Sequence, residues 1–141
     1  RRQSGSNQIA FYAHLSSTHA NPAIHQNIIF NRVQLNIGNA YDGNSGIFTV
    51  PISGLYVFTW TVISSGHGHI FTDLVVNGKV YGGIIGDSDD TLALSVGATT
   101  LVLDAKAGDR VLVWTTDHQK PTANLISTEG ARSSFAGWLI A

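Results

Sequence analysis

Residues 54–63 read Gly-Leu-Tyr-Val-Phe-Thr-Trp-Thr-Val-Ile, and this stretch decides the fold class. Alternate side chains are large and apolar, so Tyr56, Phe58 and Trp60 lie on one face of an extended strand. Leu55 and Thr59 point the other way and make that face mixed. Each buried aromatic side chain removes roughly 150–250 Å² from water. The pattern therefore predicts a β-strand over 55–63 that forms one wall of a hydrophobic core.

Short apolar runs separated by turn residues continue on both sides of this strand, which is typical of a β-sandwich or barrel. Asn77-Gly78 predicts a two-residue hairpin turn, because both residues accept a positive φ angle. Gly82-Gly83 within the next run predicts a bulge or a close backbone approach. The other predicted strands cover residues 9–15, 28–30, 33–37, 47–50, 70–76, 80–85, 91–96, 99–103, 110–114 and the end of 134–141.

Composition supports an all-β chain. Of the 141 residues, 36 are the β-branched Val, Ile or Thr, whereas Glu occurs once and Met is absent, so strand formers far outnumber good helix formers. Charged residues make up only 12% of the chain, about half of the roughly 25% that is usual. We predict a polar lead-in over residues 1–7 and one domain over residues 8–141, with no internal repeat.

Several functional classes are disfavoured by the same features. A net charge of −1 gives no basic surface for nucleic acid, and no apolar run is long enough to insert across a membrane. With no Cys, the chain has no disulfide, thiolate zinc site or Cys nucleophile. Nucleophile elbows, phosphate-binding loops and zinc-protease helices are absent, and a single Glu makes a paired-carboxylate site hard to place. We therefore expect no enzymatic activity.

One spaced pattern is far more specific than these general features. It comprises aromatic, Asn and Gly positions that lead into the central strand: Phe30, Asn36, Tyr41, Phe48, Gly54, Tyr56, Phe58 and Trp60. Downstream come Gly108-Asp109-Arg110-Val111 and the closing run Ser133-Ser134-Phe135-Ala136-Gly137-Trp138-Leu139. The pattern resembles the globular-head domain of complement C1q over almost the whole chain, with Trp60 in a position where that family has Phe or Tyr.

The resemblance implies an all-β, ten-stranded jelly-roll sandwich of two antiparallel sheets, of the tumour-necrosis-factor and C1q type, with neighbouring termini and assembly as a homotrimer. It also implies that the signature aromatics fill the core and that Gly54 and Gly137 occupy positions without room for a Cβ atom. The 141 residues contain no collagen-like Gly-X-Y stretch, so the chain is most similar to stand-alone invertebrate members. Low charge with 43% hydrophobic residues independently favours an assembly that buries apolar surface.

Two functions of different class remain. The leading hypothesis is a secreted, trimeric, lectin-like pattern-recognition module of innate immunity that binds microbial surface glycans or lipopolysaccharide. The alternative is a structural or cytokine-like extracellular trimer, either a matrix assembly head or a receptor ligand. Three polar loops could contact ligand: residues 16–26, 64–69 and 117–124. His67 and His69 are the individual candidates, because extended backbone would direct both rings to one side; the competing interpretation is two solvated loop histidines.

The last candidate is a calcium site. Asp87, Asp89 and Asp90 lie within one five-residue loop in a chain with nine acidic residues. Closely spaced carboxylates repel one another unless they are solvated or neutralised by a hard cation such as Ca²⁺. Resemblance to the C1q family places Asp87 nearest to a ligand position of its calcium-binding members and matches Asp89 and Asp90 less closely. The alternative is an exposed acidic turn that favours solubility.

Overall fold

The computed structural model describes residues 8–87 and 91–141, so the predicted lead-in over 1–7 lies outside the described residues. The strands in the described part are β1 (Ala10–His14), β2 (Arg32–Ile37), β3 (Tyr41–Asp42), β4 (Ile47–Thr49), β5 (Gly54–Ser64), β6 (His69–Val76), β7 (Lys79–Asp87), β8 (Ser95–Ala105), β9 (Arg110–Thr115) and β10 (Ser134–Leu139). No helix in these two ranges is long and apolar enough to cross a membrane.

The strands form two five-stranded sheets whose neighbouring strands all pair antiparallel. The first sheet has the order β2-β1-β10-β5-β8, and the second has the order β3-β4-β9-β6-β7. The strand predicted from the aromatic alternation is β5, which lies between β10 and β8 in the first sheet. Close to the described ends of the chain, the Leu139 N–H donates to the Ile9 carbonyl at 3.0 Å. The predicted jelly-roll sandwich is confirmed.

The β6–β7 hairpin has the predicted turn and the predicted bulge. Asn77 and Gly78 have φ angles of 51° and 82°, as a two-residue turn requires. The register shifts by one residue between Leu74 and Val75, next to the glycine pair. A Cβ on Gly82 would lie 2.8 Å from Leu101 Cδ1 on β8, so the close approach predicted at this position is also present.

The prediction of strands is wrong in two places. Residues 28–30 form no strand; Asn27 makes only an isolated bridge to Trp114, and Ile28 and Phe30 are buried by packing on the core. Residues 91–94 form no strand, and the rest of the strands predicted over 91–96 and 99–103 is one strand, β8, in which Gly97 pairs with Val62. Gly97 does not break the strand because its missing Cβ lets the β7 backbone approach; a Cβ there would lie 2.6 Å from the Ile85 carbonyl oxygen.

The signature aromatics fill the space between the sheets, as predicted. They are fully or almost fully buried and include Phe30, Tyr41, Phe48, Tyr56, Phe58 and Trp60. A Cβ on Gly137 would lie 2.7 Å from the Phe58 ring, and one on Gly54 would collide with the Ala141 carbonyl oxygen. Both glycines are therefore required by close packing.

Two hydrogen bonds satisfy polar side-chain atoms that are buried within this core. The Trp60 indole N–H on β5 donates to Thr72 Oγ1 on β6 at 2.9 Å and so joins the two sheets. The Tyr41 hydroxyl donates to the Phe30 carbonyl at 2.8 Å, and burial raises the pKa of this phenol well above its usual value. Trp at position 60 thus has a partner that a Phe ring could not use.

Candidate functional site

The three polar loops predicted to contact ligand lie at one end of the sandwich. Ser64 pairs with Ser95 at this end, whereas Gly54 pairs with Ala105 at the other. Residues 64–69 connect β5 to β6, and residues 16–26 and 117–124 pack beside them. We call these three segments the loop cluster.

Reciprocal hydrogen bonds join residues 64–69 to residues 117–124. The Ser65 N–H donates to the Asn124 carbonyl at 3.1 Å, and the Asn124 N–H donates back to Ser65 Oγ at 2.9 Å. The Thr122 N–H donates to the His69 carbonyl at 2.9 Å, and the His69 N–H donates to Thr122 Oγ1 at 3.0 Å. These pairings hold two irregular segments in fixed positions without regular secondary structure.

Residues 16–26 are held by the same neighbours. The Asn21 N–H donates to Asn124 Oδ1 at 3.0 Å, and His19 exchanges two backbone bonds with Leu125, at 2.8 and 2.9 Å. Farther along, the Gln26 N–H donates to Thr115 Oγ1 at 2.8 Å. Long-range bonds at both ends of the segment make it a braced surface loop, which is suited to binding with little loss of conformational entropy.

A groove of about 570 Å³ lies between residues 16–26 and residues 117–124. Asn21 and Pro22 line one side, and Lys120, Pro121 and Thr122 line the other. The groove thus offers an amide, a hydroxyl, backbone groups and one ammonium, with two proline rings that restrict the backbone. These groups can hydrogen-bond hydroxyls and pair with an anion, and none of them is arranged as a nucleophile with a base.

The backbone at the two candidate histidines is not extended throughout, as the prediction required. His67 has a φ angle of 58° and lies in a turn, where its N–H donates to the Thr91 carbonyl at 2.8 Å. His69 begins β6, with its Nδ1 3.2 Å from Thr122 Oγ1 and its ring edge against Phe71. The extended-backbone premise is therefore wrong, since His67 is in the left-handed region; both residues nevertheless belong to the loop cluster.

Of the three candidate calcium ligands, Asp87 is described and Asp89 and Asp90 lie outside the described residues. Asp87 is exposed at the end of β7, directly opposite His69. Within residues 8–87 and 91–141, no three His, Cys, Asp or Glu side chains are grouped closely enough to hold a metal ion. One carboxylate beside an imidazole is a poor donor set for Ca²⁺, which takes six to eight oxygen ligands. The calcium site thus stays a prediction that depends on the two other aspartates.

The pairing of His69 with Asp87 was not anticipated from the sequence. A regular hairpin through Asn77-Gly78 would place His69 opposite Gly86, and the one-residue bulge moves the partner to Asp87. The sequence signals for this pairing are the Asn77-Gly78 turn and the Gly82-Gly83 bulge, taken together. Combining them would have linked the histidine candidate to the acidic segment.

The strand register also reveals an apolar surface that the sequence did not locate. Two rows of paired, outward-facing residues cross the first sheet without a charged side chain: Leu35, Tyr12, Ala136, Thr59 and Thr100 in one, and Ile37, Ala10, Trp138, Val57 and Val102 in the other. Val102 is 59% exposed and Trp138 is 43% exposed. We call these rows the first-sheet face.

Comparison with known proteins identifies this architecture. The family model for the C1q domain matches residues 10–140. The B subcomponent of human complement C1q is 30% identical over 118 residues, which cover 82% of this chain and 44% of the relative. The human complement C1q tumor necrosis factor-related protein 3 is 43% identical over 56 residues, covering 40% of this chain and 22% of the relative. The chain thus spans less than half the length of these curated relatives.

Solved structures agree on the fold. The globular domain of zebrafish complement 1qA protein superimposes with a TM-score of 0.76 at 21% identity, covering 94% of this chain and 98% of the other. Murine APRIL superimposes with a TM-score of 0.73 at 12% identity, covering 95% of this chain and all of the other. The chain belongs to the C1q domain family, whose members are non-enzymatic ligand-binding or structural modules, as the absence of catalytic motifs predicted.

Proposed function

We propose that this chain is a secreted, homotrimeric, lectin-like recognition protein of innate immunity that binds microbial surface glycans or lipopolysaccharide through its loop cluster. The observation that carries the proposal is the convergence of three polar loops at one end of the sandwich, where two of them, residues 16–26 and 117–124, form a braced groove. Membership of a family of extracellular recognition modules supports the general role. The glycan specificity rests on the chemistry of the groove.

That chemistry suits a carbohydrate. Sugar hydroxyls need directional donors and acceptors, which Asn21 and the backbone of residues 120–123 offer along the groove. Lys120 adds a positive charge that can pair with a phosphate or carboxylate of lipopolysaccharide. Since the loops are already held by long-range hydrogen bonds, little conformational entropy is lost when a sugar binds.

The first-sheet face supports assembly as a trimer. Domains of this fold form homotrimers, and the uncharged rows centred on Val57, Val102 and Trp138 match a surface that is buried between copies. No Cys is available to link the chains covalently. A trimer would present three loop clusters, so weak binding at each could become strong binding to a repetitive surface.

A binding screen with paired variants tests the proposal. Purified protein is applied to immobilised microbial glycans and to lipopolysaccharide, together with Lys120→Ala and the control Lys106→Ala. Lys106 is exposed in the β8–β9 turn at the opposite end of the sandwich. We expect the wild-type protein and Lys106→Ala to bind equally, and Lys120→Ala to bind more weakly. The lectin function would be contradicted if the protein bound neither the glycans nor lipopolysaccharide, or if it bound host cells saturably without glycan dependence. Either result would favour a structural or cytokine-like trimer.

A further inference from the structure

A second groove lies on the outward side of the second sheet, beside the loop cluster. It has a volume of about 360 Å³, and Phe71, Asp73, Gly83, Ile85, Thr116 and His118 are among the residues that line it. Strand register places Asp73 on β6 between Gly83 on β7 and Trp114 on β9. We call this site the second-sheet groove. It lies on the opposite side of the sandwich from the first-sheet face and remains accessible if that face is buried by assembly.

Among the described residues, the Asp73 carboxylate has no cation partner. Its Oδ2 accepts a hydrogen bond from the Trp114 indole N–H at 3.4 Å, and within the described ranges no Lys, Arg or His nitrogen lies within 4.0 Å of it. The residue is half-buried, so its charge has lost part of its hydration. In the part of the chain that the structure describes, no Lys or Arg lines the groove. The site therefore has an uncompensated negative charge.

Gly83 keeps the other carboxylate oxygen accessible. A Cβ at this position would lie 2.9 Å from Asp73 Oδ1 and 3.1 Å from the Thr72 carbonyl oxygen. The backbone conformation of Gly83 is not in the left-handed region, so its φ angle does not require glycine. The missing side chain thus leaves space next to Oδ1.

Apolar and hydrogen-bonding groups flank this oxygen. Phe71 and Ile85 are cross-strand partners at the side of the groove, and Ile85 is 48% exposed. The His118 ring is largely exposed and lies 3.0 Å from Thr116 Oγ1. A carboxylate beside an aromatic ring favours an ammonium group, by charge-assisted hydrogen bonding and by cation–π attraction. The imidazole adds a partner for a hydroxyl group.

We propose that the second-sheet groove binds a protonated amino sugar of the glucosamine type, with its ammonium group on Asp73 Oδ1 and its ring against Phe71. A ring that carries both an ammonium and hydroxyls uses all the groups of the groove, whereas a lysine side chain leaves the hydroxyl partner unused. The inference rests on the proposed glycan recognition for the ligand class and adds a separate site with its own chemistry.

Isothermal titration with three tetrasaccharides of equal length tests this inference: a glucosamine tetramer, its fully N-acetylated form and a glucose tetramer. Acetylation removes the positive charge and retains the ring. We expect the glucosamine tetramer to bind about 10- to 100-fold more tightly than the other two, the range that follows from a hydrogen bond between charged groups. Equal affinity for the acetylated tetramer would overturn the proposal.

Two variants and one control assign the binding to the groove. Asp73→Asn removes the charge but keeps an oxygen for Trp114, and Gly83→Ala fills the space beside Oδ1. The control Glu129→Gln removes one negative charge in the turn between Thr128 and Ala131. We expect each groove variant to lose at least tenfold in affinity for the glucosamine tetramer while Glu129→Gln retains it. Unchanged melting temperatures would show that the variants are folded.

The outcomes separate this inference from the proposed function. If Asp73→Asn, folded, binds glucosamine tetramer as the wild type does, the groove is not the site. If neutral glycans bind and the glucosamine tetramer does not, the groove proposal fails while the lectin function stands. The shift of the Trp114 indole N–H resonance provides a second readout in the unmodified protein, and its failure to move on adding glucosamine tetramer would also overturn the assignment.

Discussion

The two outward faces of the sandwich differ in where their charges lie. Across the first sheet, ten paired positions in two rows carry no charged side chain, and the exposed Arg32 and Asp104 lie outside these rows. On the second sheet, Asp73 lies in the middle strands, Arg110 is exposed at the start of β9, and Lys79 lies 5.3 Å from the centre of the Tyr81 ring. Both sheets pack on the same core, so burial inside the domain does not explain the difference. The first face is therefore suited to contact with other copies, and the second is suited to contact with solvent and ligands.

Placing a charge on each face tests the difference between the two faces most directly. Val102→Asp should prevent assembly, because a charge buried between copies would lack a partner. The matched control is Val80→Asp on the second sheet, where the side chain is 49% exposed. Light scattering should give about 45 kDa, three times 15.0 kDa, for the wild type and Val80→Asp and about 15 kDa for Val102→Asp. Equal masses for the two variants would refute the distinction between the faces.

Removing the hydrogen bond between Trp60 and Thr72, which joins the two sheets, should have a smaller effect than a charge on the first-sheet face. Trp60→Phe removes the donor to Thr72 Oγ1 and leaves a buried hydroxyl without it. We expect the free energy of unfolding to fall by about 1–3 kcal/mol in urea titrations. Adding Thr72→Val removes the hydroxyl and should restore part of the loss. A double variant no more stable than Trp60→Phe would show that the hydrogen bond is not the cause.

Alkaline pH tests the burial of Tyr41, which lies on β3 of the second sheet. Burial raises the pKa of Tyr41 in the folded state above its value of about 10 in the unfolded chain. The stability contributed by the neutral phenol is therefore complete below pH 10 and is lost progressively as the pH rises above it. Urea midpoints measured from pH 8 to pH 11 should fall above pH 10, and less steeply for Tyr41→Phe. A pH profile identical in the two proteins would contradict this assignment.

Calcium should act only at the end of the second sheet. If Asp87, Asp89 and Asp90 form a site, millimolar Ca²⁺ should raise the melting temperature by mass action, and Asp87→Ala should abolish the rise while remaining folded. Asp117→Ala is the control, since this exposed carboxylate lies elsewhere in the loop cluster, next to His118. Equal melting temperatures in calcium and in chelator would exclude the site.

Much of the fold could be predicted from the sequence, because the patterns that decide it extend over only a few neighbouring residues. The alternation in β5 and the Asn77-Gly78 turn each act over a few residues. The break predicted between strands 91–96 and 99–103 is wrong at Gly97, because only the approach of β7 shows why a glycine lies inside a strand. The convergence of the three loops depends on bonds between residues about 50 to 100 positions apart, such as Asn21 with Asn124. The second-sheet groove likewise depends on pairing between strands, which composition and spacing do not specify.

Oxidative footprinting with hydroxyl radicals, performed across a concentration series, tests the central claim most directly. It compares Trp138 on the first-sheet face with Phe71 in the second-sheet groove within one sample. As the measured mass rises from about 15 to about 45 kDa, three times 15.0 kDa, oxidation of Trp138 should fall severalfold while that of Phe71 stays constant. A mass that remains at 15.0 kDa at micromolar concentration, or protection of Phe71 with Trp138 still reactive, would contradict the account.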